Sequence, residues 1–273
     1  MSELTKRIFF AVPAAAFFIY ITYAGGFYFV GLIALIGLFI QHELSLISEG
    51  AGFKTDPFFL YAIGLWILLS PFLPHDLTIG LIIFLVFVGV QLFRTGVRGI
   101  KSLISTSFCG IYAPLGLLAL ILVRQLGDSA TGFVLTLSLL LMIWGNDVFA
   151  YFGGKTFGKK HLAPRVSPNK TWEGFYFGIA GSLAGLSIAV YAIPIAYPAT
   201  YWQMLPAVVL VSIFGPIGDL TASRFKRAAG IKDTSNLLPG HGGFFDRFDA
   251  LILGAPAFYI YLKFLETTGY VSF

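Results

Sequence analysis

The chain has 273 residues, 57% of them hydrophobic, and its 18 basic and 13 acidic residues make up only 11% of the total, against about 25% in an ordinary soluble domain. So few charges cannot cover a water-facing surface, which excludes a soluble enzyme, a nucleic-acid-binding domain and a disordered chain. The net charge of +5 reports membrane topology before it reports a partner, and the single cysteine, Cys109, excludes an intramolecular disulfide framework.

In chain order, hydropathy predicts a first span over 8–24, preceded by Lys6 and Arg7 and read as an uncleaved anchor rather than a signal peptide. A second, short span over 27–40 follows across Gly25 and Gly26, so the pair is either a tight hairpin or partly re-entrant. Further spans are predicted over 58–73, 77–93, 108–123, 132–151, 175–194, 201–220 and 250–265. With nine spans and a cytoplasmic amino terminus, 16 of the 18 basic residues fall on the cytoplasmic side, and only Arg124 and Lys263 fall outside. That asymmetry favours this count and orientation over eight or ten spans. The expected architecture is an all-α integral membrane protein of about nine transmembrane helices with its active face in the cytoplasm. Residues 1–130 form the amino-terminal transmembrane helices and 131–273 the carboxy-terminal catalytic region. No internal repeat and no inverted pair of interrupted helices is visible.

Polar residues at membrane level concentrate after Trp144. Asn146 and Asp147 lie near the cytoplasmic end of the sixth span and Asp219 near that of the eighth, and ionisable groups at such depth are functional candidates. Asp219, Ser223, Lys226 and Arg227 follow at helical spacing along one face or its edge, so the eighth span should continue into the cytoplasm. Lys232 and Asp233 come next, then a Pro- and Gly-rich stretch, 238–243, that includes His241, Gly242 and Gly243 and breaks helix. Asp246, Arg247 and Asp249 open the ninth span, where carboxylates suit a helix amino terminus. Asp219, Asp246 and Asp249 are hard oxygen ligands of the kind Mg²⁺ takes together with substrate phosphates. Lys226, Arg227, Lys232 and Arg247 can neutralise phosphates, and the backbone at Gly242 and Gly243 can approach an anion closely. Singly, each cation reads as a positive-inside anchor and His241 as an ordinary loop histidine. Together, within 31 residues, they point to phosphate chemistry.

Residues 223–249 read SRFKRAAGIKDTSNLLPGHGGFFDRFD. This segment resembles the signature of the phosphatidate cytidylyltransferases, the CDP-diacylglycerol synthases, and meets it at every fixed position. A second stretch is similar more loosely: Asn146, Asp147, Lys155, Lys170 and Glu173, with the glycines and prolines among them. The resemblance implies transfer of CMP from CTP to phosphatidate with release of pyrophosphate, in phospholipid biosynthesis. It further implies Mg²⁺ and a second cation such as K⁺, a homodimer, and residence in the cytoplasmic (inner) membrane. Asp219, Asp246 and Asp249 are then the expected metal ligands. Lys226, Arg227, Lys232, Asp233, His241 and Arg247 are the expected catalytic partners, and Asn146, Asp147, Lys155, Lys170, Glu173, Ser223, Gly242 and Gly243 the expected substrate-binding residues. Gly154-Lys155-Thr156 is no P-loop, since Phe149 stands where that motif needs glycine. Two rivals are a CTP-dependent polyprenol-type lipid kinase, which would yield CDP, and an ion-coupled transporter, which would carry its charges deep in several spans.

Overall fold

The computed structural model describes the backbone of residues 3–93, 97–235 and 242–273, and the side chains of 11–93, 99–235 and 242–273. Arg94 and His241 lie outside the described residues. Among the described residues the elements are α1 (Glu3–Ala24), α2 (Gly26–Gly50), α3 (Pro57–Leu69) with a 3-10 turn (Ser70–Phe72), α4 (Asp76–Leu92), α5 (Val97–Arg124), α6 (Ser129–Phe157), β1 (His161–Ala163), β2 (Ser167–Thr171), α7 (Trp172–Tyr191), α8 (Tyr201–Ala228) and α9 (Phe245–Thr267). Every apolar segment of the sequence falls on a helix. Six of the helices, over 26–50, 99–124, 129–157, 172–191, 201–228 and 245–267, are long and apolar enough to cross a membrane, whereas the apolar parts of α1, α3 and α4 are shorter. The addition to the all-α expectation is a small antiparallel sheet pairing His161 with Thr171 and Ala163 with Ser167.

Helices run past the apolar stretches that announce them. α2 continues ten residues beyond Ile40 because Gln41, Glu43 and Ser45 are buried on its inner face. α8 reaches Ala228, as the charge spacing after Asp219 requires, and stops where Gly230 turns left-handed with φ 71°. There Ile231 N–H donates to the Lys226 carbonyl at 2.9 Å and Gly230 N–H to that of Arg227 at 3.1 Å, the paired bonds of a glycine-terminated helix end. Side-chain caps start other helices. Asp56 accepts from the N–H of Phe58 (3.2 Å) and Phe59 (3.4 Å) ahead of Pro57, Asp128 accepts from Thr131 N–H (2.7 Å), and Thr171 Oγ1 accepts from Gly174 N–H (3.1 Å).

The chain divides into two compact units. The first comprises Met1–Ala15, Gly26–Leu118 and Phe225–Phe248. Its apolar core holds Phe59, Ile63, Ile67 and Phe87, with Trp66, Ile83, Leu103 and Leu118 packed against them. Gln41 ties α2 to α3 by donating from Nε2 to the Leu60 carbonyl at 2.7 Å. The second comprises Ala16–Gly25, Ala119–Arg224 and Asp249–Phe273. Here α6 and α7 lie backbone to backbone: a Cβ built on Gly181 would stand 2.1 Å from the Gly145 carbonyl oxygen, and one on Gly185 2.3 Å from that of Leu141. The glycine stripe at 178, 181 and 185 therefore serves packing within the chain. Arg124, one of the two basic residues expected outside, is 6% exposed and donates to the carbonyls of Thr22 (2.7 Å) and Tyr23 (3.1 Å), the open carboxy-terminal end of α1.

Many large apolar side chains face outward, among them Phe27, Leu77, Phe84, Leu85, Phe93 and Trp202. Along α4 only Gly80, Phe87 and Gln91 are buried. Such a surface is stable with hydrocarbon as its solvent, while the helices satisfy their backbone hydrogen bonds internally.

Candidate active site

The second unit contains a cavity of about 610 Å³, within the range of small-molecule sites. α6 supplies Asn146, Asp147, Tyr151 and Lys155, the sheet and its turn supply His161, Asn169 and Lys170, α7 supplies Phe175, and α8 supplies Pro216 and Asp219. Two carboxylates, two ammonium groups, two carboxamides and two aromatic rings thus share one space. Lys170 Nζ lies 2.5 Å from Asp219 Oδ2, both side chains about a third exposed, and Ser223 Oγ donates to Asp219 Oδ1 at 3.4 Å. Asn146 is buried and donates to Ser182 Oγ at 3.2 Å, which in turn donates to the Met142 carbonyl at 3.0 Å, so its carboxamide orientation is fixed. Lys155 Nζ stands 5.7 Å from the centre of the Tyr151 ring. Glu173 is placed differently from its sequence neighbours: its carboxylate accepts the N–H groups of Lys159 (3.0 Å) and Lys160 (3.2 Å) and fastens the sheet beside α7.

Within the first unit the signature segment forms a hydrogen-bonded network. Lys226 Nζ lies 2.5 Å from Asp246 Oδ1, both side chains largely buried. Asp246 Oδ2 accepts from Thr234 N–H (3.0 Å), Thr234 Oγ1 (2.9 Å) and Gly243 N–H (3.0 Å). Three donors and a hydroxyl whose single proton is shared with Glu43 thus surround a carboxylate that offers roughly four acceptor sites. Two glycines make this possible. Gly242 is left-handed at φ 76°, and a Cβ there would stand 2.6 Å from Asp246 Oδ2, while one on Gly243 would stand 2.1 Å from Thr234 Oγ1. Arg227 closes the turn after α8 by donating to the Ile231 carbonyl at 3.2 Å. Lys232, Asp233 and Arg247 are exposed. Asp249, in the second unit, is buried and accepts from Ala250 N–H at 2.7 Å, and its carbonyl lies where a Cβ on Gly218 would collide, at 2.3 Å. Gly218 therefore eases the packing of α8 on α9, whereas Pro216 lines the cavity.

Among the described residues no three His, Cys, Asp or Glu side chains gather into a closed metal cage. The donor chemistry fits the open form that Mg²⁺ adopts, one or two carboxylates completed by water and substrate phosphates. Asp219, on the cavity wall and a third exposed, suits it directly. Asp246, largely buried in the first unit, would take a metal only by exchanging one of its present donors.

Sequence reasoning does not single out His161 or Glu43. His161 joins the cavity because the short sheet folds 161–171 back, with its ring nitrogen Nδ1 2.7 Å from the Pro168 carbonyl. Glu43 is wholly buried in α2, and its signal is an acidic residue just beyond an apolar run.

A profile described as the cytidylyltransferase family matches residues 5–265. The chain is 34% identical to a phosphatidate cytidylyltransferase of Brucella abortus over 268 residues, covering 96% of this chain and 94% of that one. It is 30% identical to that of Bacillus subtilis over 276 residues, covering 96% and 98%. It is also 52% identical to that of Pseudomonas aeruginosa over 126 residues, 45% of each chain. With the family profile and two relatives spanning nearly the whole length, the chain belongs to the cytidylyltransferase family.

Proposed function

We propose that the chain is a phosphatidate cytidylyltransferase, converting CTP and phosphatidate to CDP-diacylglycerol and pyrophosphate in phospholipid biosynthesis. The full-length likeness to proteins of that name carries the reading, and the charged cavity of the second unit supplies fitting chemistry. Phosphatidate bears a phosphomonoester whose second pKa is near neutrality, about 6 in a phosphorylated side chain. It attacks the CTP α-phosphorus without a strong protein base. A new oxygen–phosphorus bond forms as the bond to the bridging oxygen of the β-phosphate breaks, and pyrophosphate leaves. The chain's task is then positioning and charge neutralisation.

Lys155 and Lys170 offer ammonium groups to phosphate within the cavity, Asn146 and Asp147 offer polar contacts, and Tyr151 and Phe175 offer ring faces to a base. From the signature, Lys226, Arg227, Lys232 and Arg247 grip the triphosphate or the lipid phosphate, with Ser223, Asp233, His241 and the amides of Gly242 and Gly243 as further contacts. Glu173 acts by holding the sheet that carries Lys170. Asp219, Asp246 and Asp249 would hold Mg²⁺, with a monovalent cation such as K⁺ beside it. When bound, such a metal supplies charge compensation for the pyrophosphate leaving group. The acyl chains remain in lipid, so the cavity should open sideways past Pro216 toward the inner leaflet.

The reading places nine spans in the cytoplasmic membrane, the amino terminus and the active site on the cytoplasmic side, residues 131–273 as the catalytic region, and two copies per assembly. The mass of the protein in native lipid discs tests the last point, a monomer contradicting it. For the reaction, purified protein given CTP, phosphatidate and Mg²⁺ should form CDP-diacylglycerol and pyrophosphate in equal amounts. With a polyprenol supplied in place of phosphatidate, CDP and a newly phosphorylated polyprenol would instead identify the kinase.

A further inference from the structure

Glu43 has no place in the roles above, yet it is held by as many side-chain and backbone groups as Asp246. It is 0% exposed, on a helix apolar enough to cross a membrane. Its Oε1 accepts from Ser235 Oγ (2.7 Å) and Phe244 N–H (3.0 Å), and its Oε2 accepts from Thr234 Oγ1 (2.9 Å) and Phe245 N–H (2.8 Å). A buried carboxylate is expensive unless its lone pairs are filled, and here three donors of its own and the Thr234 hydroxyl, whose single proton is shared with Asp246, face them. All four belong to the signature segment, on both sides of its Pro- and Gly-rich stretch.

Two of those donors are amides at the start of α9, which have no partner within their own helix. A local Ser or Asp cap would satisfy such amides without help. This chain instead brings a carboxylate from 201 and 202 residues earlier, and the same carboxylate reaches Thr234. The Thr234 hydroxyl has one proton and stands 2.9 Å from both Glu43 Oε2 and Asp246 Oδ2. The contacts therefore run in series, from Glu43 to Thr234, to Asp246, to Lys226. Gly243 fits between them, since a Cβ there would also stand 2.3 Å from Glu43 Oε1.

We infer that Glu43 is a positioning residue for the reaction: through Thr234 and the first amides of α9 it sets the Asp246–Lys226 pair in the geometry that receives the nucleotide phosphates. The inference rests on the proposed role of Asp246 and Lys226 and goes beyond it by assigning a residue far outside the signature.

The test uses the full chain in lipid discs containing phosphatidate, with rates taken per folded molecule. Glu43→Gln keeps the shape but turns two acceptor sites into donors that face donors. It should lower kcat/KM for CTP by about 10- to 100-fold, the usual range for a residue that orients a ligand-holding group, while KM for phosphatidate stays within about twofold of wild type. Thr234→Val should reproduce that loss, Thr234→Ser should restore most of the activity, and the Glu43→Gln/Thr234→Val double variant should lose no more than the worse single. Without substrates and in EDTA, the Phe244 and Phe245 amides should exchange hydrogen faster in Glu43→Gln. Wild-type kcat/KM in folded Glu43→Gln, or unchanged exchange at those amides, overturns the inference. If Glu43→Gln does not fold, Thr234→Val decides, because it leaves Glu43 its bonds to the α9 amides, and wild-type turnover there overturns the inference equally. Failure of the proposed reaction itself would appear separately, as no CDP-lipid from the wild-type chain, and the exchange measurement would still decide the part played by Glu43.

Discussion

Lys226 and Asp246 form a largely buried ion pair, which leaves either charge expensive when its partner is removed. Asp246→Asn keeps one acceptor oxygen but strips the countercharge from Lys226 and sets an NH₂ group against donors. It should cut Mg²⁺-dependent CDP-diacylglycerol formation by at least about 100-fold, beyond the loss expected of one neutral hydrogen bond, in protein that still elutes as a single folded species. Near-normal turnover would remove Asp246 from the site. Both residues stand out in the sequence, as a cation and a carboxylate of the signature, but their pairing with each other does not. Glu43 does not stand out, because its partners lie about 200 residues away and burial, which gives it meaning, is a tertiary property. Glu173 also has contacts that its place in the chain does not announce: one carboxylate oxygen accepts the backbone N–H groups of Lys159 and Lys160.

Among the elements, the nine apolar segments are read correctly from hydropathy because a lipid-facing surface must be apolar. The length of α2 is not, since it continues through Gln41, Glu43 and Ser45, which are buried, whereas the continuation of α8 is legible in its charge spacing. The β1–β2 sheet escapes notice because its residues, including Pro168 and Asn169, are poor strand formers held by a register of only a few residues. The glycine stripe of α7 leaves packing within or between subunits equally open in sequence, and α6 settles it within the chain. Gly181→Ala would drive a methyl group into the Gly145 backbone, 2.1 Å away, with no flexible side chain to yield. Overpacking of this kind destabilises by about 1–3 kcal/mol, so the thermal midpoint in detergent should fall by several degrees. An unchanged midpoint would show that the two helices separate freely.

For the whole molecule, the distribution of basic residues predicts which loops face the cytoplasm. Lys160 and Ala196 are both exposed, before and after α7, and Cys109 is buried enough to stay silent toward reagents. With Lys160→Cys or Ala196→Cys, a membrane-impermeant maleimide should label the first only from the cytoplasmic side and the second only from the other. Labelling of both from one side would contradict the crossing by α7. In the proposed orientation the cavity would be open to a water-soluble nucleotide while the lipid substrate stays in the leaflet. The most direct measurement supplies the purified chain with phosphatidate and CTP labelled at the α-phosphorus or, separately, at the γ-phosphorus. The account predicts that α-label moves into lipid and γ-label leaves as pyrophosphate, whereas γ-label in lipid with α-label in CDP would contradict it.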